Sequence, residues 1–272
     1  MDLLAYLPLM AALIVSGVIA GIMAGLLGVG GGIVMVPAMT LTFGFLGFDA
    51  EVYQHVAVGT SLAIIISTGT MSARAHYQRG AVMVDVLKLW GLPIVLASLL
   101  GGLMARIYSG DALRIIFGVV AIFLALNVVL PVQKMLMSSL GGSKLTNRVS
   151  AFVVGYVSAL MGIGGGSLSV PTLSAFGNPM HKAVGTGSAL GVLIAIPGAL
   201  GFIISGWAVD GRPPFSLGYI NLPAMIVIGV AAAIAAPYGA ALAHRLDKKQ
   251  LERVFAVFLL VVGLRMLWEA IA

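Results

Sequence analysis

The stretch GVGGGIVMVP, residues 28–37, returns as GIGGGSLSVP at residues 162–171. The copies start 134 positions apart and agree at six of ten positions, including three consecutive glycines and the closing proline. Glycine runs break helices. A break that occurs twice in a very apolar chain points to a transporter of two related halves, with its ligand held where the breaks meet.

The composition around these stretches supports that setting. Sixty per cent of the 272 residues are hydrophobic and nine per cent are charged, far from the roughly half apolar and quarter charged make-up of soluble domains. The chain is expected to be an all-α polytopic membrane protein with eight to ten helical elements at about twenty residues per span. Such a chain leaves little room for catalysis on a large soluble substrate. Having no cysteine, it has no disulfide framework, thiol nucleophile or thiolate metal site. A formal charge of +6 is explained by orientation in the bilayer and not by nucleic acid, which is not an expected partner. The amino terminus lacks the basic start of a cleaved signal peptide and is expected to belong to the mature protein.

Apolar runs predict helical elements near 3–27, 33–47, 52–74, 84–106 and 112–132, and again near 149–163, 167–177, 179–205, 217–243 and 251–271. The first repeat is therefore 1–132, the linker 133–148 and the second repeat 149–272. The duplication reaches beyond the glycines, since HVAVGT at 55–60 matches HKAVGT at 181–186 at five of six positions. An odd number of elements per half makes the second half enter from the opposite face, so the repeats are expected to be inverted. Charge counting supports this: eleven of the fifteen Lys and Arg residues fall on the face that carries the linker, against four on the other. That bias places the linker in the cytoplasm and both termini outside, in a multi-pass protein of the inner membrane. The elements flanking the second signature are too short to cross about 30 Å of hydrocarbon. They are expected to form a re-entrant pair meeting near mid-membrane, and symmetry asks the same of the first signature.

A helix beginning at Ile33 or Ser167 turns its unpaired amides and positive dipole end back on the glycines. Gly30, Gly31 and Gly32, with Gly164, Gly165 and Gly166, would then cradle one small anion from opposite sides. The competing reading is that these glycines only allow helices to pack closely. Pro37 and Pro171 lie inside the short helices and shape them. Thr60, Ser61, Thr186 and Ser188 put hydroxyls on apolar helices, facing either a substrate or the carbonyl one turn earlier. His55 and His181 begin these helices near opposite membrane faces, as interfacial caps or gates. The four histidines show no metal-ligand spacing and no cofactor motif occurs, so neither a metal nor a cofactor is expected. With no carboxylate at mid-membrane, a proton or sodium coupling ion is left open. Arg265 can pair with Glu269 at i+4.

Taken together, GxGGGxxxVP in both halves, each followed by AVGT, resembles the TauE/SafE sulfite exporter family, also called the toluene sulfonate uptake permeases (TSUP). The resemblance implies a carrier with inverted halves for sulfite, sulfoacetate or other small organosulfonates. It makes the six glycines above, with Thr60 and Thr186, the candidate substrate-binding positions. Ser61 corresponds to Gly187, so the half-sites differ chemically, which suits an asymmetric anion. The expected function is a secondary transporter of such anions by alternating access. The alternatives are a membrane scaffold or assembly factor with packing glycines, a passive anion channel and, last, a membrane enzyme. The oligomeric state is not legible.

Overall fold

A computed structural model describes residues 7–27, 31–130, 143–243 and 248–271. Gly30 and most of the linker lie outside the described residues. Ten α-helices carry the described chain: α1 (Leu7–Leu27), α2 (Gly32–Phe45), α3 (Ala50–Gln78), α4 (Val84–Met104), α5 (Gly110–Val129), α6 (Lys144–Met161), α7 (Gly165–Ala175), α8 (Met180–Ser205), α9 (Leu222–Ala243) and α10 (Lys248–Ile271). Six stretches, 50–78, 84–107, 110–128, 180–205, 222–239 and 253–271, are long and apolar enough to cross a membrane.

Several helices start where their sequence provides a cap. Asp49 precedes α3 and accepts from the Glu51 amide at 3.0 Å. Ser109 precedes α5 and accepts from the Ala112 amide at 3.1 Å, satisfying one of the orphan donors of a helix start. Rows of large apolar residues stay exposed, such as Leu92, Leu96, Leu100 and Leu103 on α4 or Val257, Val261, Leu264 and Trp268 on α10. In a chain of this composition those faces belong to lipid. Arg265 and Glu269 do pair on α10, with Nε donating at 2.7 Å.

Small residues set the closest crossings, as membrane helices require. α1 lies along α9, where a Cβ on Gly21 would stand 2.5 Å from the Ala232 carbonyl oxygen. α6 lies along α4 with Gly155 against Ile94, and α5 lies along α10 through Gly118 and Gly263. α3 and α8 run together through the middle. Exchanging α1–α5 for α6–α10 turns the α1–α9 pair into the α4–α6 pair and maps the α5–α10 and α3–α8 pairs onto themselves. The rule is broken most heavily at α4, which packs tightly on α8, while α9 leaves α3 beside an apolar cavity of about 560 Å³ lined by Ile64, Ile203, Met225 and Ile226.

Three boundaries differ most from the sequence reading, and the start of α6 is one of them: it begins at Lys144 and not near 149, so the helix before the second break has 18 residues. Helix α3 runs to Gln78, longer than expected. Residues 217–221, expected to open a helix, instead belong to a small antiparallel hairpin, Ser216–Leu217 with Ile220–Asn221. Pro213 and Pro214 precede it, and Phe215 and Gly218 take positive φ values of 62° and 57°; both features exclude a helix.

Candidate functional site

The short helices are α2, with 14 residues, and α7, with 11, or ~21 and ~16 Å at 1.5 Å per residue. Each carries its proline inside, Pro37 in α2 and Pro171 in α7. Both begin in the glycine run, at Gly32 and Gly165, slightly before the expected Ile33 and Ser167. Gly31 caps α2 at φ +80°, and its carbonyl accepts from the Val34 and Met35 amides at 3.0 and 2.9 Å. Gly162, at φ +67°, closes α6: its amide donates to Ala159 O at 3.2 Å while the Ile163 amide donates to Ser158 O at 3.0 Å. That pairing is the usual closure of a helix by a left-handed glycine.

The two breaks touch. A Cβ on Gly32 would lie 2.8 Å from the Gly162 carbonyl oxygen and 3.0 Å from the Ile163 Cα. The Ser61 hydroxyl of α3 donates to the same Gly162 oxygen at 2.7 Å. At the other end of the second signature, a Cβ on Gly165 would overlap the Gly187 carbonyl oxygen and come 2.5 Å from Gly191 N. Gly32 and Gly165 therefore bring backbones together. Gly164 meets only Ile65 at ordinary distance, and Gly166 is partly buried.

The AVGT segments join the halves to each other. Thr60 accepts the Asn221 amide at 2.9 Å, immediately before α9, and Thr186 accepts the Met83 amide at 2.9 Å, immediately before α4. The preceding glycines sit against the same short segments: a Cβ on Gly59 would be 2.5 Å from Tyr219 O, and one on Gly185 2.6 Å from Ala81 O. Each glycine-threonine pair thus forms a notch that seats three residues of the opposite half. Ser188 accepts from Ser72 at 3.2 Å and donates to Val184 O at 3.1 Å.

The two histidines part company. His55 is buried, with Nδ1 2.8 Å from Glu51 O and Nε2 3.0 Å from both Ala105 O and Tyr108 O, and it stacks on Tyr219 at 4.8 Å. His181 is exposed. His55 and Tyr219 line an open cavity of about 510 Å³ with Glu51, Arg106 and Asp210. Burial raises the Tyr219 hydroxyl above its ordinary range, against the lowering pull of Arg106 and Arg212.

What the second signature leaves free is hydroxyl. Ser158, Ser167 and Ser169 are buried, and none of their side-chain oxygens has a hydrogen-bond partner. Ser167 lies in the first turn of α7, whose start has no side-chain cap, and Ser158 lies one turn before the break. The corresponding residues of the first signature, Ile33 and Met35, are buried and apolar. Sequence reasoning named Ser167 but missed Ser158, which belongs to no motif, and Ser169, which stands at a position where the two copies of the signature differ. Among the described residues no group of three His, Asp or Glu could hold a metal ion.

Two glycine breaks in contact within an apolar, all-helical membrane chain accord with the paired sequence signatures. The profile of the family described as "Sulfite exporter TauE/SafE" matches residues 13–266. The chain belongs to that family. A probable membrane transporter protein of Haemophilus influenzae is similar to it, with 32% identity over 92% of this chain and 95% of the relative. The probable membrane transporter protein YunE of Bacillus subtilis is 27% identical over 95% of this chain and 97% of its own length. A probable membrane transporter protein of Methanocaldococcus jannaschii is 25% identical over 96% and 97%. No solved structure matches the chain. As a TauE/SafE member with six helices able to span a bilayer among the described residues, the protein is an integral multi-pass membrane transporter and not an enzyme.

Proposed function

We propose that this TauE/SafE protein is a secondary carrier of small sulfur-containing oxyanions, such as sulfite, sulfoacetate or other organosulfonates. It works by alternating access and holds the anion at the second glycine break. The observation that carries this reading is the set of buried, unpartnered hydroxyls of Ser158, Ser167 and Ser169 around the start of α7. An unsatisfied buried hydroxyl costs on the order of 1–3 kcal/mol, so a site that keeps three of them is built for something that bonds to them. The positive end of the α7 dipole and its free amides favour negative charge at the same place.

Selection by neutral donors fits the rest of the molecule. Among the described residues Arg114 is the only buried Lys, Arg, Asp or Glu, and it is already committed to Asp111, to Ala50 O and to the face of the Tyr53 ring. No other buried cation stands among the described residues to hold the substrate, and a bound anion remains free to leave. Inverted repeats, with both termini outside the cytoplasm, accord with the basic face that carries the linker and with helix pairs that exchange between halves. The coupling ion, proton or sodium, has to use backbone and hydroxyl oxygens.

The test is uptake of labelled sulfite or sulfoacetate into proteoliposomes. Replacing Ser167 and Ser169 together by alanine is expected to lower uptake at limiting substrate about 100-fold, two charge-assisted hydrogen bonds being worth ~3 kcal/mol or more. The unliganded protein should melt no lower than the parent. Undiminished uptake overturns the proposal.

A further inference from the structure

We propose that Gln54 is a further ligand-contacting residue of that site, and that it selects oxyanions bearing a hydroxyl of their own; this rests on the reading above. Gln54 is fully buried, and neither Nε2 nor Oε1 has a hydrogen-bond partner. The polar side chains next to it on α3 are engaged, whereas the Nε of Arg114, whose guanidinium reaches Ala50 O one turn before Gln54, is likewise buried without a partner. Next in sequence, His55 has both ring nitrogens against carbonyl oxygens. One turn earlier, Glu51 accepts the Gly110 amide at 2.9 Å. Seven residues on, Ser61 is bonded to Gly162. Only the Gln54 amide stands open on both its donor and its acceptor side.

Helical spacing aims it at the breaks. Residues 54, 58, 61 and 65 follow one another at i, i+4, i+7 and i+11 and so share one face of α3. The other three members of that row touch the signatures directly. A Cβ on Gly162 would come 2.9 Å from Val58 Cα, Ser61 bonds to Gly162, and the Ile65 side chain meets Gly32 and Gly164. Gln54 therefore occupies the next turn of the row that faces both breaks. Its counterpart in the second half, Met180, is exposed, so this amide is supplied once and not twice, like the hydroxyls of α7.

The chemistry of the side chain names its ligand. A primary amide offers two N–H donors and a carbonyl acceptor. The donors suit the charged oxygens of a sulfonate or sulfite. The acceptor stays unsatisfied against a fully ionised oxyanion and is satisfied by one that carries a hydroxyl. A site with a buried acceptor of this kind discriminates against the analogue that lacks the matching hydrogen.

Two sulfonates that differ only in that group, 2-hydroxyethanesulfonate and ethanesulfonate, test the assignment by calorimetric binding to the purified full-length protein. The parent is expected to prefer the hydroxylated ligand about tenfold. Gln54→Leu and the near-isosteric Gln54→Met should bring the ratio to about one and raise the unliganded melting temperature, since a buried unpaired amide is removed. A parent that binds the two ligands equally overturns the proposal, as do variants that keep the preference or melt several degrees lower. Running Ser167→Ala/Ser169→Ala in parallel separates the two ideas. Unchanged binding there removes the site itself, whereas lost binding there, together with an unchanged ratio in Gln54→Leu, removes only the role of Gln54.

Discussion

The first and second glycine breaks share a backbone plan and differ in what they present to a ligand. Each ends a helix, starts a short proline-containing helix and packs against α3 or α8. Yet Ile33 and Met35 of the first are apolar, while Ser167 and Ser169 of the second are hydroxyls without partners. Ser61 inverts the pattern, donating from the first half into the carbonyl of the second break, where the second half has Gly187. The duplication thus preserved the features that shape the chain and let the polar ones drift to one side. In the carrier proposed above, two related halves enclose a one-sided site.

The largest contrast in stability is expected at the glycines. In Gly165→Ala the new methyl meets the Gly187 carbonyl and the Gly191 amide, both backbone and unable to yield. A loss of ~3 kcal/mol or more is expected, at the top of the range for overpacking. Gly32→Ala presses partly on the tip of the Ile65 side chain and should cost less, about 1–2 kcal/mol. Melting of the two purified variants in detergent checks the order, and equal losses would break the contrast between the breaks. This also makes substitutions of Gly165 poor probes of transport, because they disturb the fold whether or not an anion binds there.

Thr60→Val and Thr186→Val probe the opposite case, a pair that the structure treats alike. Each removes the acceptor of one helix-start amide, buried at Asn221 and part-buried at Met83, so each should cost about 1–3 kcal/mol, with melting temperatures that fall together. Unequal losses would show that the two notches do not carry the same load.

The smallest effect belongs to Tyr219, which stands against Gly59 where the other half has Ala81 against Gly185. Its raised folded value means that the fold holds the neutral phenol. The associated stability is present below the ordinary tyrosine value of 10.0 and is lost as pH rises through the higher folded value. Tyr219→Phe should therefore flatten the fall in melting temperature above pH 10 and leave the curve below pH 9 unchanged. A variant whose alkaline limb matches the parent's contradicts this.

Much of this was legible beforehand. The paired signatures, the short helices around them, the prolines within those helices and the Arg265–Glu269 pair all follow from local spacing, and local spacing is what a sequence displays. The hairpin at 216–221 was not legible as a hairpin, because Leu217, Tyr219 and Ile220 continue an apolar run and the turn geometry lies in Phe215 and Gly218. The AVGT threonines stood out by repetition, but their bonds to Asn221 and Met83 join residues far apart in the chain. Gln54 carried no sequence signal at all; its meaning comes from the absence of a partner, which only the packed molecule reveals.

The notch at Thr60 has a bearing on how this protein is made. The amide it receives belongs to Asn221, 161 residues downstream, and the matching bond of Thr186 reaches back 103 residues to Met83. When the first five helices have left the ribosome, Thr60 and Gly59 still face a vacant slot that their own half cannot fill. The second half arrives to find the mate of Thr186 already in place. Insertion into the bilayer can proceed helix by helix, but this fastening must wait until Asn221 and α9 have been synthesised, so neither half can finish folding without the other.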